Sequence, residues 1–410
     1  MTVAIKCGLI IDGTGSSPMA NKIIIIENDK IQKIIDEEGF SATLETYREV
    51  EEIDASQNTV LPGLVNCHEH LMMRRNYGGI AAQGKKPVPF LTACAVRSGI
   101  YSLSQGITTC RDCGAPASIN LELKNSIEAG VILGPRLLTC GEPLVMTGGH
   151  LAFMFYIVDT VDEVVKGVRH QIHNGADFIK IYASNEDLPQ APEDNLYLEW
   201  FPPECIKAAI DEAHRAGIRV SAHVNGAEAI HNCVVFGADT IEHGINLQRE
   251  SARIMKEKGI FLVPTLSTGK QNTNASWKRE SFWVARYQKF YDSLWKSFCF
   301  ALEEGVSIVP GTDTLGDFVE ELELFVKAGM SNMDALAAAT HFGAECMGMD
   351  DQIGTIEAGK TADLCIIDGN PLQDITALRN VSLVIKDGIV LRPEELRKVF
   401  PPSPLYIEGS

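Results

Sequence analysis

No apolar run in this chain approaches the ~18 residues that a membrane-spanning helix requires. Its first residues, MTVAIKCGLIIDGTG, lack a basic flank followed by a long apolar core. No secretory leader is therefore expected, and the cytoplasm is the expected compartment. Basic charge is scarce: 36 Lys and Arg stand against 54 Asp and Glu, for a formal net charge of −18. That deficit argues against nucleic acid and anionic membranes as partners. A paired-cysteine framework is missing too. The 11 cysteines are scattered and odd in number, as expected of reduced thiols. Cys110 and Cys113 form a lone C-x-x-C in TTCRDCG, and without a second pair nearby they read as structural.

What remains is an ordinary globular composition of 45% hydrophobic and 22% charged residues. A chain of 410 residues accommodates one large α/β barrel or two to three smaller domains. Both ends are rich in short strands: VAIKCGLIID, KIIIIEND and KIQKII before residue 58, then ADLCIIDG and VSLVIKDGIVL after 352. Two such ends can pair into one small sheet. The middle alternates strand and helix signals. Apolar strands are expected at LPGLVNCHEHL, GITTCRD, RLLTCGEPL, DFIKIYAS, IRVSAHV, TIEHG, GIFLVPTL and VSIVPGTD, with amphipathic segments such as PPECIKAAIDEAHRAG between them. Eight β-then-α units predict an α/β fold, a (β/α)8 TIM-like barrel of about 250 residues. Two long connections, MMRRNYGGIAAQGKKPVPF and the aromatic stretch around 277–295, have the length of lids, specificity loops or subunit contacts.

Lys180 is out of place in the strand ADFIKIYAS, because lysine is almost never fully buried without compensation of its charge. Alone it reads as a strand-end lysine whose head reaches water. Other polar residues change that. His68 and His70, two apart on the first strand, point to one side. His223 ends the fifth strand, His243 the sixth and Asp313 the eighth, at the end where barrel enzymes keep their chemistry. Singly, each His reads as a hydrogen-bonded core residue and Asp313 as a turn or cap. Together they point to metal binding. His170, His173, His214, His231 and His341 fall in helical segments and read as structural or exposed.

The stretches PGLVNCHEHL, IKIYAS, SAHVNG, TIEHG, PGTD and IGTIEAGKTADLCIIDGNP, in this order, resemble the amidohydrolase superfamily over essentially the whole chain. Within it the chain is similar to the Xaa-Arg/Lys dipeptidase, prolidase-like and imidazolonepropionase-related branch. The resemblance implies a barrel over 59–351 flanked by a β-sandwich made of 1–58 and 352–410. It also implies a metal-dependent hydrolase with two divalent ions, usually zinc. Carried over, His68, His70 and Asp313 bind the more buried ion, and His223 and His243 the other. Lys180 bridges both as a CO2-derived carbamate (N6-carboxylysine), an anion that suits its buried position. A hydroxide shared by the two ions attacks an amide, peptide or carbamate carbonyl, with Asp313 as proton shuttle. His150, after TGG, contacts the substrate carbonyl or carboxylate. Asn225, the second substrate-binding position, stands where those dipeptidases tend to carry an aromatic hydroxyl, and the loop SNEDLPQAPEDNLYLEW also departs from their pattern. The partner implied is a small-molecule amide, dipeptide or carbamate, and family members are often homo-oligomers.

Two alternatives stay open. A mononuclear cyclic-amide hydrolase or deaminase of the same superfamily is weakened because the first Glu after His223 is Glu228, not the third residue on, and because imidazolone-ring hydrolases lack the fourth-strand lysine. A metal-free scaffold is disfavoured because all six ligand positions are filled.

Overall fold

The structure, a computed structural model, describes residues 2–40, 47, 49–73, 84–185, 198–274, 281–314 and 316–399. The chain opens with β1 (Thr2–Ile10), β2 (Met19–Glu27), β3 (Lys30–Asp36) and β4 (Val50–Pro62). The middle runs β5 (Leu64–Glu69), α1 (Val88–Ser104), β6 (Ile107–Asp112), α2 (Ile119–Glu128), β7 (Arg136–Thr139), β8 (Leu144–Val145), β9 (Tyr156–Ile157), α3 (Val161–His173) and β10 (Phe178–Tyr182). A short hairpin, β11 (Ser184–Asn185) with β12 (Leu198–Glu199), leads to α4 (Pro203–Arg215), β13 (Arg219–Val224), α5 (Ala227–Phe236), β14 (Thr240–His243), α6 (Arg249–Lys258) and β15 (Phe261–Val263). Helices α7 (Leu266–Asn272), α8 (Ser281–Glu304), α9 (Phe318–Lys327), α10 (Asn332–Ala338) and α11 (His341–Met347) follow. The described chain ends with β16 (Leu364–Asp368), β17 (Val381–Lys386), β18 (Ile389–Leu391) and α12 (Pro393–Lys398).

Strands from both ends form one seven-stranded sheet, in the order β18-β17-β16-β4-β1-β2-β3. The four isoleucines Ile23–Ile26 explain how β2 is covered: all are 0% exposed. Alternation sends Ile24 and Ile26 into a cluster with Val3, Ile5, Leu364 and Ile366, and Ile23 and Ile25 into another with Ala4. A continuous apolar run is what a strand needs when both faces are buried. β4 runs through residue 58 to Pro62, pairing with β16 over Asn58–Pro62.

The middle is α/β with parallel strands. One sheet is β5-β6-β7 and another β15-β14-β13-β10-β8-β9. The Asp177 N–H donates to the Thr139 carbonyl (2.8 Å), which joins the end of β7 to the start of β10. Two expected strands take a different form. RLLTCGEPL divides into β7 and β8 around Gly141 at φ 68°. Among the described residues, VSIVPGTD forms no ladder, only isolated parallel bridges from Ile308 to Leu262 and from Asp313 to Glu69. Pro310 has no N–H to give, and Asp313 at φ 51° leaves the extended region. The segment still spans β15 and β5. Val309 N–H donates to Leu262 (3.0 Å), Cys67 N–H to Pro310 (2.9 Å), and the Thr312 and Asp313 amides both donate to the His68 carbonyl. Gly311 makes this approach possible, since a Cβ there would fall 2.6 Å from both the His68 Cβ and a Val263 methyl.

Helices pack on these strands, α4 against β10 and β13 through one apolar stripe. In α4, Cys205, Ile206, Ala209, Ile210 and Ala213 are buried at helical spacing. α3 begins with a reciprocal cap between Thr160 and Glu163. Among the described residues, no helix is long and apolar enough to cross a membrane. The long connections after β5 and after β11 fall mostly at 74–83 and 186–197, outside the described residues.

Candidate metal centre

Four histidines and an aspartate converge from β5, β13, β14 and the 307–313 segment. The His68 and His70 rings lie 5.4 Å apart, His68 and His243 5.1 Å, and His223 and His243 4.6 Å. Asp313 Oδ1 is 3.9 Å from His68 Nε2 and 3.8 Å from His70 Nε2. Donor atoms of His68, His243 and Asp313 all fall within 4.8 Å of one another. Lys180, 1% exposed in the middle of β10, acts electrostatically on these three residues and on His70.

Three of the histidines are held by their Nδ1 edges. His68 Nδ1 meets the Glu242 carboxylate (2.6 Å), His70 Nδ1 the Gly114 carbonyl (2.7 Å) and His243 Nδ1 the Thr265 hydroxyl (2.7 Å). With Nδ1–H as donor, each ring keeps its Nε2 lone pair for a cation. The surroundings of these three rings also favour their neutral form. Burial pushes His68 down to about 3, helped by Lys180. Burial and neighbouring imidazoles push His70 and His243 well below the usual histidine range. Burial, then the Glu69 charge, raises Asp313 to about 7. Among the described residues, two buried atoms of this cluster, His68 Nε2 and Lys180 Nζ, have no hydrogen-bond partner. Orphaned donors and acceptors at this depth are costly unless something else satisfies them. A divalent cation fits this donor set of neutral imidazoles and a carboxylate.

Glu242 and Arg111 escaped the sequence reading. Glu242 is fully buried and accepts from His68, from Arg111 (2.6 Å) and from the hydroxyls of Ser221 (2.8 Å) and Thr240. Burial works against its charge, but Arg111, Lys180 and His68 hold it well below the ordinary carboxylate range. Adjacent strand residues face opposite sides, yet Glu242 and His243 both reach His68. A left-handed backbone at His243 (φ 65°) makes this possible, and no strand pattern announces it. The available signal was a Glu inside the short apolar TIEHG. Cys113 Sγ also lies within 4.8 Å of His68 and Glu242 donors. In this trio Glu242 is already paired with Arg111, and burial pushes the Cys113 thiol up to about 12.

His150 stacks on His223 (4.8 Å, 11°), which in turn stacks on Tyr182 (4.6 Å, 20°). Its loop is pinned by Trp200 Nε1–H to the Thr147 carbonyl (3.1 Å), by Asn185 to Gly148 (2.9 Å) and by Thr147 to Asp159. The Asn225 amide oxygen accepts from the Ile245 N–H (2.8 Å), so this end of the side chain braces the turn after β14. In the aromatic segment, Phe298 stacks on Phe325 of α9, and Trp295 packs on Phe298. Residues 277–280 lie outside the described residues.

The sequence profile of the Amidohydrolase family matches residues 59–391. The chain belongs to the amidohydrolase family. Among its relatives, this amidohydrolase is 30% identical to ochratoxinase from Aspergillus niger over 93% of its own length and 84% of that protein. Its structure is similar to that of a Xaa-Pro dipeptidase with bound methionine in the active site, at a TM-score of 0.84 and 27% identity, covering 96% of this chain and 100% of the other. It is equally similar to a prolidase complexed with N-methylphosphonate-L-proline, at 0.84 and 28% identity, covering 96% and 100%. Family and relatives make it a hydrolase acting on C–N bonds, of the prolidase-like branch.

Proposed function

We propose that this amidohydrolase cleaves an amide, peptide or carbamate C–N bond of a small molecule at a centre for two divalent cations. The observation that carries it is the pair of buried, unsatisfied atoms, His68 Nε2 and Lys180 Nζ, beside the His68–His243–Asp313 cluster. In this reading His68, His70 and Asp313 would hold one cation and His223 and His243 the other, and Lys180, as a carbamate, would add its oxygens to the donor set. Cations held there, zinc in our reading, supply Lewis acidity and bring the pKa of water toward neutrality.

The chain's own groups do the rest. Asp313, beside both His68 and His70, takes a proton from the attacking water and passes it to the leaving nitrogen. His150, stacked over His223, hydrogen-bonds the substrate carbonyl or carboxylate. The strands β5 to β15 with the 307–313 segment form a distorted (β/α)8 barrel, and the seven-stranded sheet belongs to a separate unit made of 1–58 and 352–410, with β4 running on past 58 to Pro62. The eleven unpaired cysteines support a cytoplasmic setting.

The test is metal content per chain in wild type and Lys180→Ala, followed by hydrolysis of Xaa-Pro dipeptides, N-acyl amino acids and ochratoxin-type amides. Two ions per wild-type chain, with at least one lost in Lys180→Ala and activity partly restored by a short carboxylic acid, supports the reading. One ion in both proteins moves the assignment to a mononuclear cyclic-amide hydrolase or deaminase. None after reconstitution refutes it.

A further inference from the structure

Thr265 follows β15, 2% exposed, in the left-handed region (φ 52°, ψ 44°). A β-branched residue there is an outlier, because its Cβ substituents crowd the backbone. Asn or Gly would occupy the position at less cost. Thr265 is also the N-cap of α7, yet its side chain makes no capping hydrogen bond. Threonine at an N-cap ordinarily accepts from the helix's first amides.

Glu321 of α9 takes over that role. Its carboxylate accepts from Leu266 N–H (2.9 Å) and Ser267 N–H (2.6 Å), and the side chain is fully buried. The Thr265 hydroxyl is thereby released from its helix and stands 2.7 Å from His243 Nδ1. A strained backbone, a diverted cap and a buried carboxylate serving in its place converge on one contact. Strain at such a position marks a candidate functional residue.

We propose that Thr265 is a positioning residue: by accepting the His243 Nδ1–H it fixes the ring and its tautomer so that Nε2 faces the cation. This rests on the metal reading of the site. His243 itself adopts a left-handed backbone at the end of β14, so the strand does not dictate its ring orientation. The neutral ring has two tautomers, and only the one with Nδ1–H leaves Nε2 free. Glu321, by holding the next two amides, keeps Thr265 in its strained conformation.

The experiment compares Thr265→Ser with Thr265→Ala in the full chain, by competition of a chelator for bound zinc and by melting of the metal-free proteins. Both variants lose the branch, and they differ only in the hydroxyl. Thr265→Ser is expected to hold metal as wild type does, and Thr265→Ala to lose about 10- to 100-fold in affinity for one ion. Metal-free Thr265→Ala is expected to melt somewhat lower than Thr265→Ser, because it leaves the His243 Nδ1–H without its acceptor. Equal zinc affinity in the two variants overturns the proposal. If Thr265→Ala does not fold, Thr265→Gly suits the left-handed backbone and lacks the hydroxyl, so the same loss is expected of it. Wild type that binds no zinc refutes the metal reading instead, and the proposal falls with it.

Discussion

At the residue scale, the buried charges explain one another. Glu242 in an apolar interior would ordinarily take up a proton, and it remains an acceptor because Arg111 faces it. Arg111 is itself satisfied at Nε by the Cys67 carbonyl (2.6 Å) and lies over the Phe178 ring at 5.3 Å. The pair stands behind His68 as a carboxylate stands behind a metal-bound imidazole. Glu242→Gln should therefore do two things. It strands Arg111, which should cost about 3–5 kcal/mol of stability in urea unfolding. It also removes the anionic partner of His68, which should weaken metal retention about 10-fold or more in chelator competition. A variant that unfolds more easily but keeps wild-type metal affinity would confine the pair to a structural role.

At the element scale, the ends of β14, β15 and the 307–313 segment depart from strand geometry at His243, Thr265 and Asp313, all left-handed. Each departure turns a side chain that regular alternation would send elsewhere. Glu321 braces one of these ends, and burial raises its carboxyl from 4.5 to about 7 against the pull of the Ser267 and Leu266 amides. A folded-state acid with a raised pKa binds more protons than the unfolded chain between those two values. Its contribution is complete below 4.5 and is lost as pH rises through 7, so metal-free stability should fall across that window. One proton gives a slope of at most about 1.4 kcal/mol per pH unit. Denaturant titrations of metal-free protein across this range should show a shallower fall for Glu321→Gln; equal slopes would remove Glu321 from the linkage.

At the scale of the molecule, Arg136 on β7 ties the middle of the chain to the sheet built from its ends. Its guanidinium pairs with Asp363, which precedes β16, and with Asp387 between β17 and β18. Asp363 has only 3% of its side chain exposed and also accepts from the Asp387 N–H (2.8 Å). Removing the cation leaves a buried carboxylate uncompensated. Arg136→Met should cost about 3–5 kcal/mol in urea unfolding. The loss should be shared by probes in both the end sheet and the middle strands; a loss confined to the end sheet would mean the two unfold separately.

Local sequence was enough for what depends on alternation and spacing. The apolar runs marked most strands, and the i, i+2 spacing set His68 and His70 on one side of β5. It was also enough to make Lys180 conspicuous, since a charged residue inside FIKIY stands out without any structure. The failures were of two kinds. VSIVPGTD read as a strand because its apolar pattern is right, but Pro310 and the turn at Asp313 leave it only bridges. Glu242, Arg111 and Thr265 went unnoticed because their partners lie far away in the chain, and because adjacent residues share a face only where the backbone turns left-handed. Alternation is a property of neighbouring residues, so the sequence carries it directly. The partner of a buried charge and the residues that hold a strained turn are set by which strands lie side by side, and only the tertiary structure decided them.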